Sequence, residues 1–129
     1  MDPGTSIRDV TRDLRSDRFF GPGSIVRVET DSAQPLAYGM SPHTAGFFAF
    51  SSAYEILASA ATTTAARYGD KDVLVSGWLE GEQVIAGRPA VVQVSAGAGR
   101  VILLGFPVQH RAQSLATFRL LFNAILTSR

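Results

Sequence analysis

The sequence predicts a single domain that combines β-strands with helices, and three features carry that expectation. Ser24–Thr30 alternates strictly, with Val26 and Val28 on one face and Arg27 and Glu29 on the other, the period-two pattern of a half-buried strand. Two continuous runs rich in β-branched residues, Ala90–Ser95 and Arg100–Gly105, are joined by Ala96-Gly97-Ala98-Gly99 and read as a hairpin. Ala112–Thr127 places Leu115, Phe118, Phe122 and Ile125 on one helical stripe, widened by Leu121, which is expected to pack onto the sheet. A length of 129 residues suits one domain and is short for two. No repeat and no domain-sized shift in composition divides it.

The remaining elements follow from local chemistry. Residues 1–6 are expected to be a leader or a disordered segment, and 7–129 the domain. Ser6 is suited to cap a first helix, Ile7–Ser16, in which Ile7, Val10 and Leu14 share a face opposite Arg8, Arg12 and Arg15. Phe19-Phe20 followed by Gly21-Pro22-Gly23 would end it in an anchor and a turn. Asp31–Thr44 carries Pro35, Gly39 and Pro42 and reads as loop. Gly46–Phe50 and Ala53–Leu57 favour strands, and Ala58–Thr64 favours a surface loop. Ala65–Tyr68 and Val73–Ser76 read as short strands flanking the turn Gly69-Asp70-Lys71-Asp72. Leu79–Ala86 suits one or two helical turns closed by Gly87.

Composition narrows the function. With 46% hydrophobic and 18% charged residues, the chain can build a packed core. Twelve basic and eleven acidic side chains give a formal charge of +1, with Lys71 the only lysine, and the basic residues are spread along the chain. That balance offers no footprint for nucleic acid. No apolar run approaches the length of a membrane span. Cysteine is absent, which excludes disulfides, thiolate metal sites and a cysteine nucleophile in this chain.

No catalytic constellation emerges. The two histidines, His43 and His110, are followed by Thr44-Ala45-Gly46 and Arg111-Ala112-Gln113, without the nearby glutamate a zinc peptidase needs. Ser76-Gly77-Trp78 lacks the glycine spacing of a nucleophile elbow. Glu80 and Glu82 are too close in sequence to flank a scissile bond from opposite sides, and read as a shared solvated face. Ala96-Gly97-Ala98-Gly99 is followed by a strand, whereas a phosphate loop needs a helix. The candidates that remain for a ligand or interface are Tyr38, Trp78, His110 and Arg111, with Arg111 suited to a carboxylate.

A longer series of motifs runs through the chain. Phe20-Gly21-Pro22-Gly23-Ser24-Ile25-Val26-Arg27-Val28 is followed by Pro35-Leu36-Ala37-Tyr38-Gly39-Met40 and Ser76-Gly77-Trp78-Leu79-x-Gly81-Glu82. Gly97-x-Gly99-Arg100-Val101-Ile102-Leu103-Leu104-Gly105-Phe106, Gln109-x-Arg111-x-Gln113 and Thr117-Phe118-x-Leu120-Leu121-Phe122-Asn123-Ala124 complete it. Over roughly residues 17–129 the series resembles the carboxyl-terminal region of bacterial zinc carboxypeptidase-like proteins, a domain similar to class I glutamine amidotransferases. The resemblance implies an α/β fold with a mixed sheet flanked by helices, flavodoxin-like and incomplete at its amino-terminal side. A compact α+β fold with an antiparallel sheet is the alternative, because a half-domain must cover its exposed edge and apolar face.

The resemblance also implies what the chain lacks. Amidotransferases use a cysteine with a His-Pro-Glu turn, whereas the matching turn here is Phe106-Pro107-Val108, which offers no base and no group to orient one. Zinc would belong only to the absent peptidase domain, and this chain would hold no cofactor. The function expected is a non-catalytic accessory domain whose partner is the peptidase domain or a second copy. The alternative is a small-molecule or carbohydrate-binding module.

Overall fold

The computed structural model describes residues 7–58 and 61–127, so the expectation for residues 1–6 lies outside the described residues. The chain forms β1 (Ile7–Asp9), β2 (Phe20–Thr30), β3 (His43–Phe48), β4 (Tyr54–Ile56), β5 (Thr62–Tyr68), β6 (Leu74–Glu80), β7 (Pro89–Ala96), β8 (Gly99–Leu104) and the helix α1 (Phe118–Leu126). Short 3-10 turns occupy Pro35–Ala37, Glu82–Val84, His110–Ala112 and Leu115–Thr117. Sheet and helix are thus combined in one chain, as expected. The mixed sheet flanked by helices is not: every strand pairing among the described residues is antiparallel, and α1 is their one α-helix.

β2 is the spine of the sheet. Its alternation holds, with Ser24, Val26, Val28 and Thr30 buried and Arg27 and Glu29 exposed. One edge pairs with β3 over Ser24–Glu29. The other edge takes β5 at Val28–Thr30 and β6 at Phe20–Val26, laid end to end in the same direction. These two strands therefore form one line along β2, interrupted by the excursion around Gly69-Asp70-Lys71-Asp72. Arg27 holds the excursion in place: its backbone N–H donates to the Val73 carbonyl at 2.8 Å and its Nε to the Asp72 carbonyl at 2.8 Å.

The strand order continues β3-β2-β5-β7-β8. The hairpin is as expected, with β7 and β8 in register from Val91↔Leu104 to Ala96↔Gly99 and Gly97 at φ +58° opening the two-residue turn. Ala90, Val91, Val92 and Val94 are all buried, so β7 is covered on both faces, which accounts for a run without alternation. β4 lies against β7 and pairs with β1. Phe106, just beyond β8, packs its ring onto Gly46 of β3, so the two ends of the strand order close over one core. That core is aromatic at its centre, with Phe48 edge-on to both Phe19 and Tyr68.

Several local expectations are corrected. Residues 7–16 form no helix: Ile7–Asp9 pairs with Tyr54–Ile56, and Asp9 then accepts the Thr11 backbone N–H at 2.9 Å, turning the chain. Gly21-Pro22-Gly23 is not a turn but part of β2, with a register shift between Phe20 and Gly23 that accommodates the proline. β5 begins at Thr62, inside the segment read as loop, and β6 runs from Leu74 to Glu80, leaving only the 3-10 turn Glu82–Val84 of the helical turns expected at Leu79–Ala86. α1 starts at Phe118 instead of Ala112, because Arg111 and Ala112 take left-handed conformations at φ 46° and 55° that no α-helix tolerates.

Gly21 marks where the core is tightest. A Cβ there would stand 2.8 Å from the Phe48 ring, which is buried and held by Phe19 and Tyr68. Gly21→Ala is expected to lower the unfolding free energy by about 1–3 kcal/mol, measured by urea denaturation. In a double-mutant cycle, Gly21→Ala should cost less in a Phe48→Leu background than beside Phe48 if this contact is its cause.

Candidate functional site

The connector between β8 and α1 builds the most site-like place in the described chain. Phe106 and Val108 anchor it in the core. The buried Thr117 hydroxyl donates to the Val108 carbonyl at 2.6 Å, drawing the connector into a closed loop. Within that loop, Arg111 and Ala112 lie consecutively in the left-handed region, a strained arrangement for residues with a Cβ. The His110 ring stacks on Phe47 of β3, with centroids 3.8 Å apart and planes 13° from parallel. Next to this stack is a cavity of about 200 Å³, walled by Ile25, Ala45 and Phe47 and rimmed by His110, Gln113 and Ser114. The Ser114 hydroxyl is buried and has no hydrogen-bond partner.

Two exposed apolar surfaces lie elsewhere. On α1, Leu120 is buried and Leu121 and Ala124 pack against the core, whereas Phe122, Ile125 and Leu126 are 55%, 61% and 75% exposed. Leu115, just before the helix, is 68% exposed. The stripe expected to pack on the sheet is therefore largely the outward face. The second surface is aromatic: Phe20 lies edge-on to Phe50 at 5.9 Å and to Trp78 at 5.4 Å. Phe50 is 73% exposed and Trp78 is 57% exposed. Phe50 holds φ at 48°, which for a bulky side chain costs on the order of 1–3 kcal/mol. A cavity of about 230 Å³ adjoins it, lined in part by Leu14, Phe19, Phe20 and Phe50.

The four candidates from the sequence do not converge. Tyr38 is exposed beside α1, where the Asn123 amide donates to its carbonyl at 3.0 Å. Trp78 stands in β6, its indole N–H donating to Glu80 at 2.9 Å. His110 rims the cavity, and Arg111 next to it is exposed and outside the lining. Glu80 and Glu82 have separate tasks, since Glu82 accepts the Leu74 backbone N–H at 3.3 Å. Phe47, Ser114, Phe20 and Phe50 were not singled out by the sequence. Their roles arise from contacts between distant segments, and only the Phe-rich stretch at Phe47–Phe50 offered a signal.

Among the described residues no group of three or more His, Cys, Asp or Glu is placed to hold a metal ion. No helix among them is long and apolar enough to cross a membrane. No protein-family model, curated protein or solved structure matches the chain.

The clearest electrostatic feature is structural. Burial opposes the charge on Asp9, yet hydrogen bonds from Ser52 and from the Thr11 hydroxyl and backbone hold its carboxyl below the ordinary value. Burial, reinforced by the Asp9 charge, pushes the Tyr54 phenol up. Burial also pushes up the Tyr68 phenol, which donates to the Ser52 carbonyl at 2.6 Å. Because the folded value of Asp9 is depressed, its contribution to stability is present above the unfolded value and is lost as pH falls through the folded one. Asp9→Asn is therefore expected to destabilise the chain at neutral pH. The gap from wild type should narrow below about pH 4, as followed by denaturant midpoints across that range.

Proposed function

We propose that this chain is a non-catalytic interaction domain that docks through the outer face of α1. The observation that carries the reading is the helix itself. It presents Phe122, Ile125 and Leu126 to solvent, although its opposite face already packs against the core. Tyr38 lines one depression with Leu126, and with Phe122 and Ile125 these exposed side chains present apolar surface on the order of several hundred Å², the size at which such patches mark interaction sites. Arg119 is the only charged residue of the helix, so the face suits an apolar partner surface.

The motif series supports a narrower version. In it the chain is an accessory domain of a zinc carboxypeptidase-like protein. Its helix would seat the peptidase domain, and zinc and hydrolysis of carboxyl-terminal peptide bonds would belong to that partner. The absence of cysteine and the Phe106-Pro107-Val108 turn support a domain without amidotransferase chemistry.

A second reading is favoured by one observation, the strained and exposed Phe50 beside Phe20 and Trp78. Backbone strain that holds an aromatic ring out of the core suits a surface for a carbohydrate or another small ligand with an apolar face. Ligand contact there would change the fluorescence of Trp78, the only tryptophan.

The docking reading is tested by Phe122→Asp/Ile125→Asp, which alters exposed side chains. Sedimentation of the chain alone, and titration with a peptidase domain of the resembled family, should each show whether the face binds. The expected result is association in one of these, weakened by at least tenfold in the variant, with the unfolding midpoint little changed. Association that is absent from both, or unaffected by the two substitutions, would overturn the reading.

A further inference from the structure

The cavity behind the His110–Phe47 stack is not used by the docking surface, and its chemistry points to a ligand of its own. We infer that the cavity rimmed by His110, Gln113 and Ser114 binds a small organic carboxylate with a short apolar body. Its volume of about 200 Å³ accommodates a ligand of fewer than about ten heavy atoms. Ile25, Ala45 and Phe47 supply an apolar wall, and no acidic residue lines the space. All three rim side chains can donate: a serine hydroxyl, a glutamine amide and an imidazole N–H. A rim of donors against an apolar wall suits an acceptor group carried on a hydrocarbon stub.

Two further observations indicate that the rim is retained for binding. The Ser114 hydroxyl is buried without a partner, an arrangement that folding alone disfavours. Ser114 stands at the start of the turn Leu115–Thr117 yet makes no capping hydrogen bond there. No hydrogen bond holds its side chain, so it can turn toward a ligand without losing one. The consecutive left-handed residues Arg111 and Ala112 reverse the chain between His110 and Gln113, bringing both to the same cavity as Ser114. This strain has a purpose if it assembles a site.

The experiment is a ¹H–¹⁵N NMR titration of the whole chain with propionate, run beside propionamide, propanol and sodium sulfate. Saturable shifts are expected at the amides of Gly46, Phe47 and Ser114 with propionate. The dissociation constant should be in the millimolar range, as expected for so few atoms. Ser114→Ala should weaken that binding at least tenfold while leaving the melting temperature unchanged or raised, since it removes an unpaired buried hydroxyl. A hydroxyl kept for structure would instead lower the melting temperature. Gln113→Ala, at an exposed position, should weaken binding independently of any effect at Ser114. The inference is overturned by the absence of saturable shifts, by equal shifts with propionamide, propanol or sulfate, or by unaltered binding in both variants.

Discussion

Two side-chain hydrogen bonding groups decide which way α1 faces, and the surface chemistry of the protein depends on that decision. Seven of the nine residues in Phe118–Leu126 are apolar, so hydrophobicity alone does not select a buried face. Directional bonds do. Thr117 donates to the Val108 carbonyl at 2.6 Å, and the Asn123 amide donates to the carbonyls of Leu36 at 2.9 Å and Tyr38 at 3.0 Å. With the helix tied just before its first residue and again at Asn123, Leu120 enters the core and Phe122 and Ile125 face outward. An apolar helix held outward in this way keeps a hydrophobic surface available that free rotation would tend to bury.

The same constraint explains the limits of reading the sequence. The stripe of Leu115, Phe118, Phe122 and Ile125 satisfies helical periodicity, but so does the competing set around Leu120, Leu121 and Ala124. Of the bonds that choose between them, the two from Asn123 reach carbonyls 87 and 85 residues away. Elements governed by local chemistry were legible: β2 through its alternation, and β7–β8 through two β-branched runs and a glycine turn. β1 was not, because three residues become a strand only through a partner at Tyr54–Ile56. The antiparallel sheet likewise follows from how β5 and β6 share one edge of β2, and no single segment records that arrangement.

The candidate site shows a similar division. His110 and Arg111 stood out as polar residues at a junction between strand and helix. Phe47 and Ser114, which give His110 a stacking surface and the cavity an unpaired hydroxyl, did not. Their significance lies in a fold that closes β3 against the connector. The connector therefore joins two properties: His110, Gln113 and Ser114 shape the cavity, and the turn Leu115–Thr117 leads into the outward-facing helix. The aromatic group of Phe20, Phe50 and Trp78 is built from β2, β6 and the segment after β3, and depends on the register of those strands.

The orientation of α1 governs the docking face, and the chain is well suited to testing it because it contains no cysteine. Single cysteines placed at Leu120, Phe122, Ala124 and Ile125 would be compared for thiol labelling rate under native conditions, at a concentration where the chain is monomeric. Rapid labelling is expected at positions 122 and 125, strong protection at 120 and slower labelling at the partly buried 124. Protection at 122 and 125 with rapid labelling at 120 would contradict this orientation, placing the helix the other way round and removing the docking face.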